Sequence, residues 1–252
     1  MSTSAIAHTT QRKPELLDQT VVVIGGSSGI GLETARRARA QGAKVILAAR
    51  NPERLKHAAN EIDALSTASF DATDPVAIER FFRDLPTIDH VLVTAGRPYY
   101  ARLVEMDFTT IRDVFGQHLL QALYVARNAS GKVTPGGTLI FMGGTGARRP
   151  AIGLSIASAM TAAFPALVAS LAVEIAPVRV NLIAAGFVDT PLSAQLLGDQ
   201  IEKRRNQLRT TLPIGRVVGP ADVAALAVHI MTNTALTGAT YDIDGGQQFV
   251  AA

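Results

Sequence analysis

Between Val21 and Gly31 the chain reads Val-Val-Val-Ile-Gly-Gly-Ser-Ser-Gly-Ile-Gly, and this stretch limits the possible folds more than any other. Four β-favouring apolar residues in succession fit a strand buried on both faces. Gly25, Gly29 and Gly31 then turn the chain into an amphipathic helix from Ile30 to Gln41. Glycine permits a sharp turn and lets a pyrophosphate approach bare N–H groups at the positive end of the helix dipole. Strand, tight turn and helix N-terminus point to dinucleotide binding, with Gly25, Ser27, Ser28, Gly29, Ile30 and Gly31 around the phosphates. Glycine used only for helix–strand packing is the competing reading, and the turn alone does not separate the two.

Downstream, strand and helix patterns alternate without a linker. Lys44–Arg50 reads as a second buried strand and Pro52–Asp63 as a helix with proline at its start. Ala68–Phe70 ends a third strand, Pro75–Leu85 forms a helix, and His90–Gly96 is a strand running into a glycine turn. A long helix follows over Thr109–Asn128, then a strand Thr138–Met142 and a helix Ile152–Ile175 interrupted by Pro165. Because proline removes a helix hydrogen bond and clashes one turn back, that helix is expected to kink near Thr161 or to start late. Val178–Ala184 is a strand, 191–209 and 220–232 are helices, and Thr240–Asp244 is the last strand. Seven strands alternating with helices predict one doubly wound parallel sheet over residues 16–252, with ligands at the carboxyl ends of its strands. Residues 1–15, small and polar, are expected to form a disordered tail.

Composition narrows the function. At 252 residues with 48% hydrophobic and 18% charged side chains, the chain can bury a large core. No cysteine is present, which excludes disulfides, a thiolate nucleophile and Cys-ligated metal, and fits a cytoplasmic protein. The net charge of +3 is scattered, and the two tight basic groups, Arg36-Arg37-Arg39 and Lys203-Arg204-Arg205, lie on helices as solvated faces, so no nucleic-acid partner is expected. The most apolar run, Ala157–Ala176, is broken by polar residues and Pro165, so no membrane span is expected. His8, His57, His90 and His229 have no ligand-like spacing with carboxylates, and no metal site is expected.

From residue 18 to about 248 the chain resembles the short-chain dehydrogenases/reductases, whose fold is of the Rossmann type. Gly25-x-x-x-Gly29-Ile30-Gly31 is similar to that family's TGxxxGIG turn, with Ile24 in place of threonine. Asp71-Ala72-Thr73-Asp74 resembles its adenine-site DVTD, and Thr94-Ala95-Gly96 its NAG. Arg179-Val-Asn181, Ala185–Thr190, Leu212–Arg216 with Pro220–Ala224, and Asp244-Gly245-Gly246 resemble its later motifs in order. The resemblance implies that Asp71 and Ala72 meet the adenine, that Ala95, Gly96, Gly186, Val188 and Thr190 line the rest of the cofactor, and that the chain is a homodimer or homotetramer acting on a small molecule.

The cofactor's identity turns on the end of the second strand. An NAD-selective site places a carboxylate there for the ribose 2′-hydroxyl, whereas this chain has Arg50, which can clasp a 2′-phosphate with Ser27, Ser28 and Asn51 nearby. NADP(H) is therefore expected over NAD(H). A plain surface charge at a strand end is the alternative for Arg50.

The catalytic stretch departs from the resemblance. In the family a tyrosine, made more acidic by a lysine four residues on, moves the proton that accompanies hydride transfer. Here Ser155 and Ala159 occupy those positions, the family's serine falls on Gly143 or Gly144, and its asparagine aligns with His118. No shift of alignment restores the pair: Tyr99, Tyr100, Tyr124 and Tyr241 are followed four residues later by Leu103, Val104, Asn128 and Gly245. Ser155 is a far weaker acid than a phenol, and no cation is spaced to activate it. His118 is the catalytic candidate with the right chemistry, since imidazole titrates near neutrality, although a packing role inside a helix is the competing reading. Tyr99 and Tyr100 are candidates for the substrate pocket, while Arg148 and Arg149 face either an anionic substrate or solvent.

Two functions fit. One is an NADP(H)-dependent oxidoreductase with a non-standard proton donor; the other is a redox-silent NADP(H)-binding sensor or partner subunit. The substrate lid implied by residues 190–216 favours the first.

Overall fold

The computed structural model describes residues 15–250; the tail expected over residues 1–15 lies, apart from Glu15, outside them. Seven strands form one sheet: β1 Thr20–Ile24, β2 Lys44–Ala49, β3 Ser66–Ser69, β4 Ile88–Val93, β5 Val133–Gly144, β6 Arg179–Ala185 and β7 Thr240–Ile243. Their spatial order is 3-2-1-4-5-6-7, and every pair is parallel. The chain thus reverses direction across the sheet between β1 and β4, and a crevice opens above the carboxyl ends at that point.

Alternation along each strand divides the core. Val22 and Ile24 of β1, Val91 and Val93 of β4, and Leu139 and Phe141 of β5 face three helices: α3 (Pro75–Asp84), α4 (Phe108–Ala129) and α5 (Ser155–Glu174). Val21 and Val23, Leu92 and Ile140 face α1 (Gly29–Ala40), α2 (Pro52–Ile62) and α8 (Pro220–Thr232) on the other side. The central strands are apolar at nearly every position because both of their faces are covered. β3, at the edge, reads Ser-Thr-Ala-Ser and stays half exposed.

Helix starts follow side-chain caps. Asn51 accepts from the Arg54 N–H at 2.8 Å ahead of Pro52, and Asp74 accepts from Val76 at 2.9 Å ahead of Pro75. Asp107 caps α4 in the same way, and Asp222 reaches back to the Gly219 N–H at 2.9 Å in α8.

Two elements differ from the sequence reading, and a third follows one of its two expected outcomes. β5 begins at Val133, five residues earlier than Thr138, and its register against β4 shifts between Ile88 and His90. The helix read over 191–209 is two, α6 (Pro191–Leu197) and α7 (Ile201–Thr211), because Gly198 takes a positive φ of 49° and ends the first. α5 starts late, at Ser155, and continues through Pro165 without a break. It is also the one helix among the described residues long and apolar enough to cross a membrane by length and composition. Here its buried side chains, Met160, Phe164, Val168 and Leu171, pack into the core beneath β5 and β6.

The far end of the sheet carries a polar clasp. Arg179, only 5% exposed, donates to the carbonyls of Gly136, Ile230, Met231, Asn233 and Leu236, so one guanidinium closes the orphaned carboxyl end of α8. His90 is 3% exposed there; its Nε2 pairs with the Gln19 side-chain oxygen at 2.7 Å, while Nδ1 has no partner. Burial pushes the His90 imidazole down to about 4, against the pull of Asp89 and with help from Arg179. Because its folded value lies below the unfolded one of about 6.5, the stability tied to neutral His90 is complete above pH 6.5 and is lost as pH falls toward 4. In denaturant unfolding, wild type should lose up to about 3 kcal/mol relative to His90→Met between pH 7 and pH 4. Parallel curves would remove His90 from the acid response.

Candidate functional site

The β1–α1 turn forms the floor of the crevice. Gly25 has a φ of 96°, and a methyl group on it would sit 2.4 Å from the Thr94 hydroxyl; one on Gly31 would sit 2.3 Å from the Gly25 carbonyl oxygen. Helix and strand approach as closely as two backbones can, and Thr94 Oγ1 lies 3.3 Å and 3.2 Å from the carbonyl oxygens of Ile24 and Gly25. Ser28 precedes α1 in extended conformation, but its side chain does not cap the helix, and the first turn holds no acidic residue. The leading N–H groups of α1 therefore stay available to an anion. Ser27, Ser28, Gly29 and Ile30 all lie on this rim, whereas Gly31 is buried beneath it. These residues fit the pyrophosphate of a dinucleotide: a cradle free of side chains at a helix start without a side-chain cap.

At one end of the crevice Arg50 follows β2 and Asp71 follows β3, with 3.8 Å between guanidinium and carboxylate. Asp71 also accepts from the Thr73 N–H at 2.9 Å and hydroxyl at 2.8 Å. Burial opposes its ionisation, yet the two Thr73 hydrogen bonds and the Arg50 charge together hold its carboxyl below the usual value. Ala72, next to it, is buried, and its carbonyl is fixed by the Gln121 amide at 3.1 Å. Asn51 uses its side-chain oxygen as the α2 cap, so only its amide nitrogen faces outward chemistry. Arg50 itself is 70% exposed at the crevice edge.

At the other end the loop after β6 carries Gly186, Val188 and Thr190. Gly186 is pressed against Asp244, whose Cβ lies 2.6 Å from where a methyl would stand, and the Phe187 N–H donates to Gln247 Oε1 at 2.7 Å. Val188 is buried and bridges to Val218. Thr190 caps α6 through the Ser193 N–H and stands 3.6 Å from the Gly29 methyl position, so this loop meets the α1 turn across the crevice. Asp189 grips Arg205 of α7 at 2.6 Å and 3.0 Å, which ties α7 to the loop. Nothing in the sequence signalled the Gln247 and Arg205 contacts, since their partners lie far along the chain.

The catalytic candidates separate. His118 lies on α4 one turn after Val114, and its Nδ1 stands 3.2 Å from the Val114 carbonyl. A carbonyl only accepts, so Nδ1 carries the proton and Nε2 of the neutral ring is a bare acceptor. That Nε2 lies 3.0 Å from the Gly96 methyl position, which sets it against the β4 turn at the centre of the crevice. Ala95 precedes this turn and is fixed by its N–H to the Ile24 carbonyl at 3.2 Å. Ser155 opens α5 as an exposed residue with no side-chain hydrogen bond among the described residues, and Ala159 is exposed one turn on. Ser158, by contrast, donates to the Gly146 carbonyl at 3.0 Å. Tyr99 and Tyr100 lie on the loop after β4, with Tyr100 54% exposed. Arg148 is tied to Asp242, while Arg149 has no carboxylate partner among the described residues.

Known proteins share this fold. The family model described as "Enoyl-(Acyl carrier protein) reductase" matches residues 24–248. The short-chain dehydrogenase/reductase ATR9 of Stachybotrys chlorohalonatus is 28% identical, over 92% of this chain and 98% of that protein. MalC reductase/Diels-Alderase from Malbranchea aurantiaca superposes with a TM-score of 0.86 at 24% identity, covering 94% of this chain and 99% of the other. BdcA in complex with NADPH gives a TM-score of 0.82 at 25% identity, over 92% and 95% of the two chains. With its sheet order, glycine turn and crevice, the chain belongs to the short-chain dehydrogenase/reductase family of oxidoreductases.

Proposed function

We propose that this chain is an NADP(H)-dependent oxidoreductase that interconverts a carbonyl and an alcohol on a small molecule, with His118 in place of the family's tyrosine. The observation that carries this reading is the His118 ring: Nδ1 fixed to Val114 and Nε2 directed at the Gly96 turn. NADP(H), when bound, supplies or accepts the hydride. His118 in its cationic form donates a proton from Nε2 to the developing alkoxide; in its neutral form it takes the hydroxyl proton of an alcohol in the reverse direction. Thr94, Ala95 and Gly96 form the wall against which His118 rests, and the Asp189–Arg205 pair ties α7 to the loop after β6.

A second reading, cofactor binding without hydride transfer, draws on Ser155 and Ala159, which leave α5 without phenol or ammonium. Association with a second copy is supported by apolar side chains left open on the outer helices, Leu120 and Leu123 of α4 at 45% and 41% and Val173 of α5 at 79%.

Arg50 beside Asp71 supports a 2′-phosphate and hence NADP(H) over NAD(H). Arg50→Asp should weaken NADPH binding by about 1.5–3 kcal/mol and leave NADH less affected or improved, measured by fluorescence titration. Equal losses for both cofactors would defeat the assignment.

His118→Ala should lower turnover roughly 100-fold while NADPH affinity stays within a few-fold. If the wild type binds NADPH but oxidises it with no carbonyl in a broad panel, the second reading stands. Ser155→Tyr with Ala159→Lys should create or raise carbonyl reductase activity, and each single change should do little, because phenol and ammonium act as a unit. Activity gained from the tyrosine alone would contradict that coupling.

A further inference from the structure

Helix α4 sends a second side chain toward the crevice, at the end that holds Asp71. Gln121 lies one turn after His118 on the same helix face, and it is only 7% exposed, with Ala122 and Val125 of α4 in the core. A buried amide has to be paired, and Gln121 donates from Nε2 to the Ala72 carbonyl at 3.1 Å. Ala72 lies in the loop between β3 and α3, directly after Asp71. Among the described residues Gln121 is the one side chain from outside this loop that bonds its backbone between Asp71 and Asp74. Downstream the loop is held by its own groups: the Asp74 N–H donates to the Asp71 carbonyl at 3.0 Å, and Asp74 caps α3.

The Ala72 carbonyl and the Thr73 N–H belong to one planar peptide unit, so a bond that fixes one end orients the other. The Thr73 N–H donates to Asp71 Oδ1 at 2.9 Å, and the Thr73 hydroxyl donates to the same oxygen at 2.8 Å. Asp71 is thereby held with Oδ1 occupied and Oδ2 facing only the Arg50 guanidinium, 3.8 Å away. The Ala72 N–H makes no hydrogen bond among the described residues. An acceptor, Asp71 Oδ2, and a donor, the Ala72 N–H, are thus left open on consecutive residues. Adenine offers the complement, an amino donor beside a ring-nitrogen acceptor.

We propose that Gln121 is a positioning residue for the cofactor's base: by fixing the Ala72–Thr73 peptide it sets the Asp71 carboxylate and the Ala72 N–H to read adenine, and so selects a 6-amino over a 6-oxo purine. The role rests on the NADP(H) reading above. Gln121 acts through that peptide and not on the base itself. A hypoxanthine ring would turn a carbonyl toward the carboxylate and a ring N–H toward the Ala72 N–H, setting like against like at both contacts. Because Gln121 shares a helix with His118, α4 supports the base end of the crevice and its centre together, one side chain on Ala72 and the other against Gly96.

The test compares, for the full chain, the affinity for NADPH with that for its reduced hypoxanthine analogue, both by fluorescence titration. Wild type should prefer NADPH by about tenfold or more. Gln121→Met keeps the volume and loses the donor; Gln121→Asn keeps the amide but falls short of Ala72, and it serves where the first variant does not fold. In each, NADPH affinity should fall about tenfold while affinity for the analogue stays within about threefold. The preference for NADPH over NADH should be unchanged, because the 2′-phosphate is read by Arg50 and not through the base. Without cofactor, the Thr73 amide should exchange with solvent several-fold faster in either variant, a change confined to the Asp71–Asp74 loop. Absence of discrimination in the wild type, equal losses for both dinucleotides in the variants, or unchanged Thr73 exchange would overturn the role while leaving the cofactor reading in place. A wild type that binds neither dinucleotide would overturn the cofactor reading and this role with it.

Discussion

The molecule is built around one close contact, that between the β1–α1 turn and the end of β4. Gly25, Gly31 and Thr94 meet there with no room for a single added carbon, and the Thr94 hydroxyl is held between two carbonyl oxygens of the turn. This contact fixes the angle at which α1 leaves the sheet, and so the direction in which its first N–H groups point. It also fixes the Gly96 turn, against which His118 rests. Cofactor cradle and proton-transfer candidate are therefore placed by the same few atoms, and a shift in one moves the other. Close-packed interiors transmit such displacements because they have no slack to absorb them.

Stability and chemistry occupy opposite ends of the sheet. At the amino ends, Arg179 satisfies five carbonyls and Asn181 bonds the Leu236 carbonyl and the Ala239 N–H, so the β6–α8–β7 corner is tied by side chains that never face the crevice. At the carboxyl ends, polar groups remain only partly engaged: the N–H groups opening α1, His118 Nε2, Arg50, Arg149. Leaving groups unpaired where a ligand enters, and pairing them fully where none does, is the pattern expected of a binding scaffold.

Much of this was legible in the chain itself. Continuous apolar runs such as Val21–Ile24 mark strands covered on both faces, and the Asn51-Pro52 and Asp74-Pro75 pairs mark helix starts with a physical cap behind them. The split at Gly198 was not legible, because a glycine within a polar helix pattern reads equally as tolerated or as a stop until its φ is known. The early start of β5 was hidden by Pro135-Gly136-Gly137, which suggest a turn and instead form an irregular strand entry that Arg179 secures through the Gly136 carbonyl. At the site, the sequence supplied the groups themselves: a guanidinium at Arg50, a carboxylate at Asp71 and an imidazole at His118. What sequence could not supply was pairing: that Arg148 is neutralised by Asp242, while its neighbour Arg149 has no carboxylate partner among the described residues, depends on which strand ends lie together in space.

The bracing of the β6 loop has a consequence for the order in which the site is made. Gly186 and Phe187 are held by Asp244 and Gln247, the latter 60 residues later in the chain. The glycine turn, the Arg50–Asp71 end and the Gly96 turn are all complete once β5 has joined the sheet. The loop after β6 gains these two braces only when β7 and the segment behind it are added at the far edge. During synthesis from the ribosome, the growing chain would hold the turns after β1, β2 and β4 long before the loop after β6 had its full support. Ligand binding with correct geometry is thereby reserved for the nearly finished polypeptide.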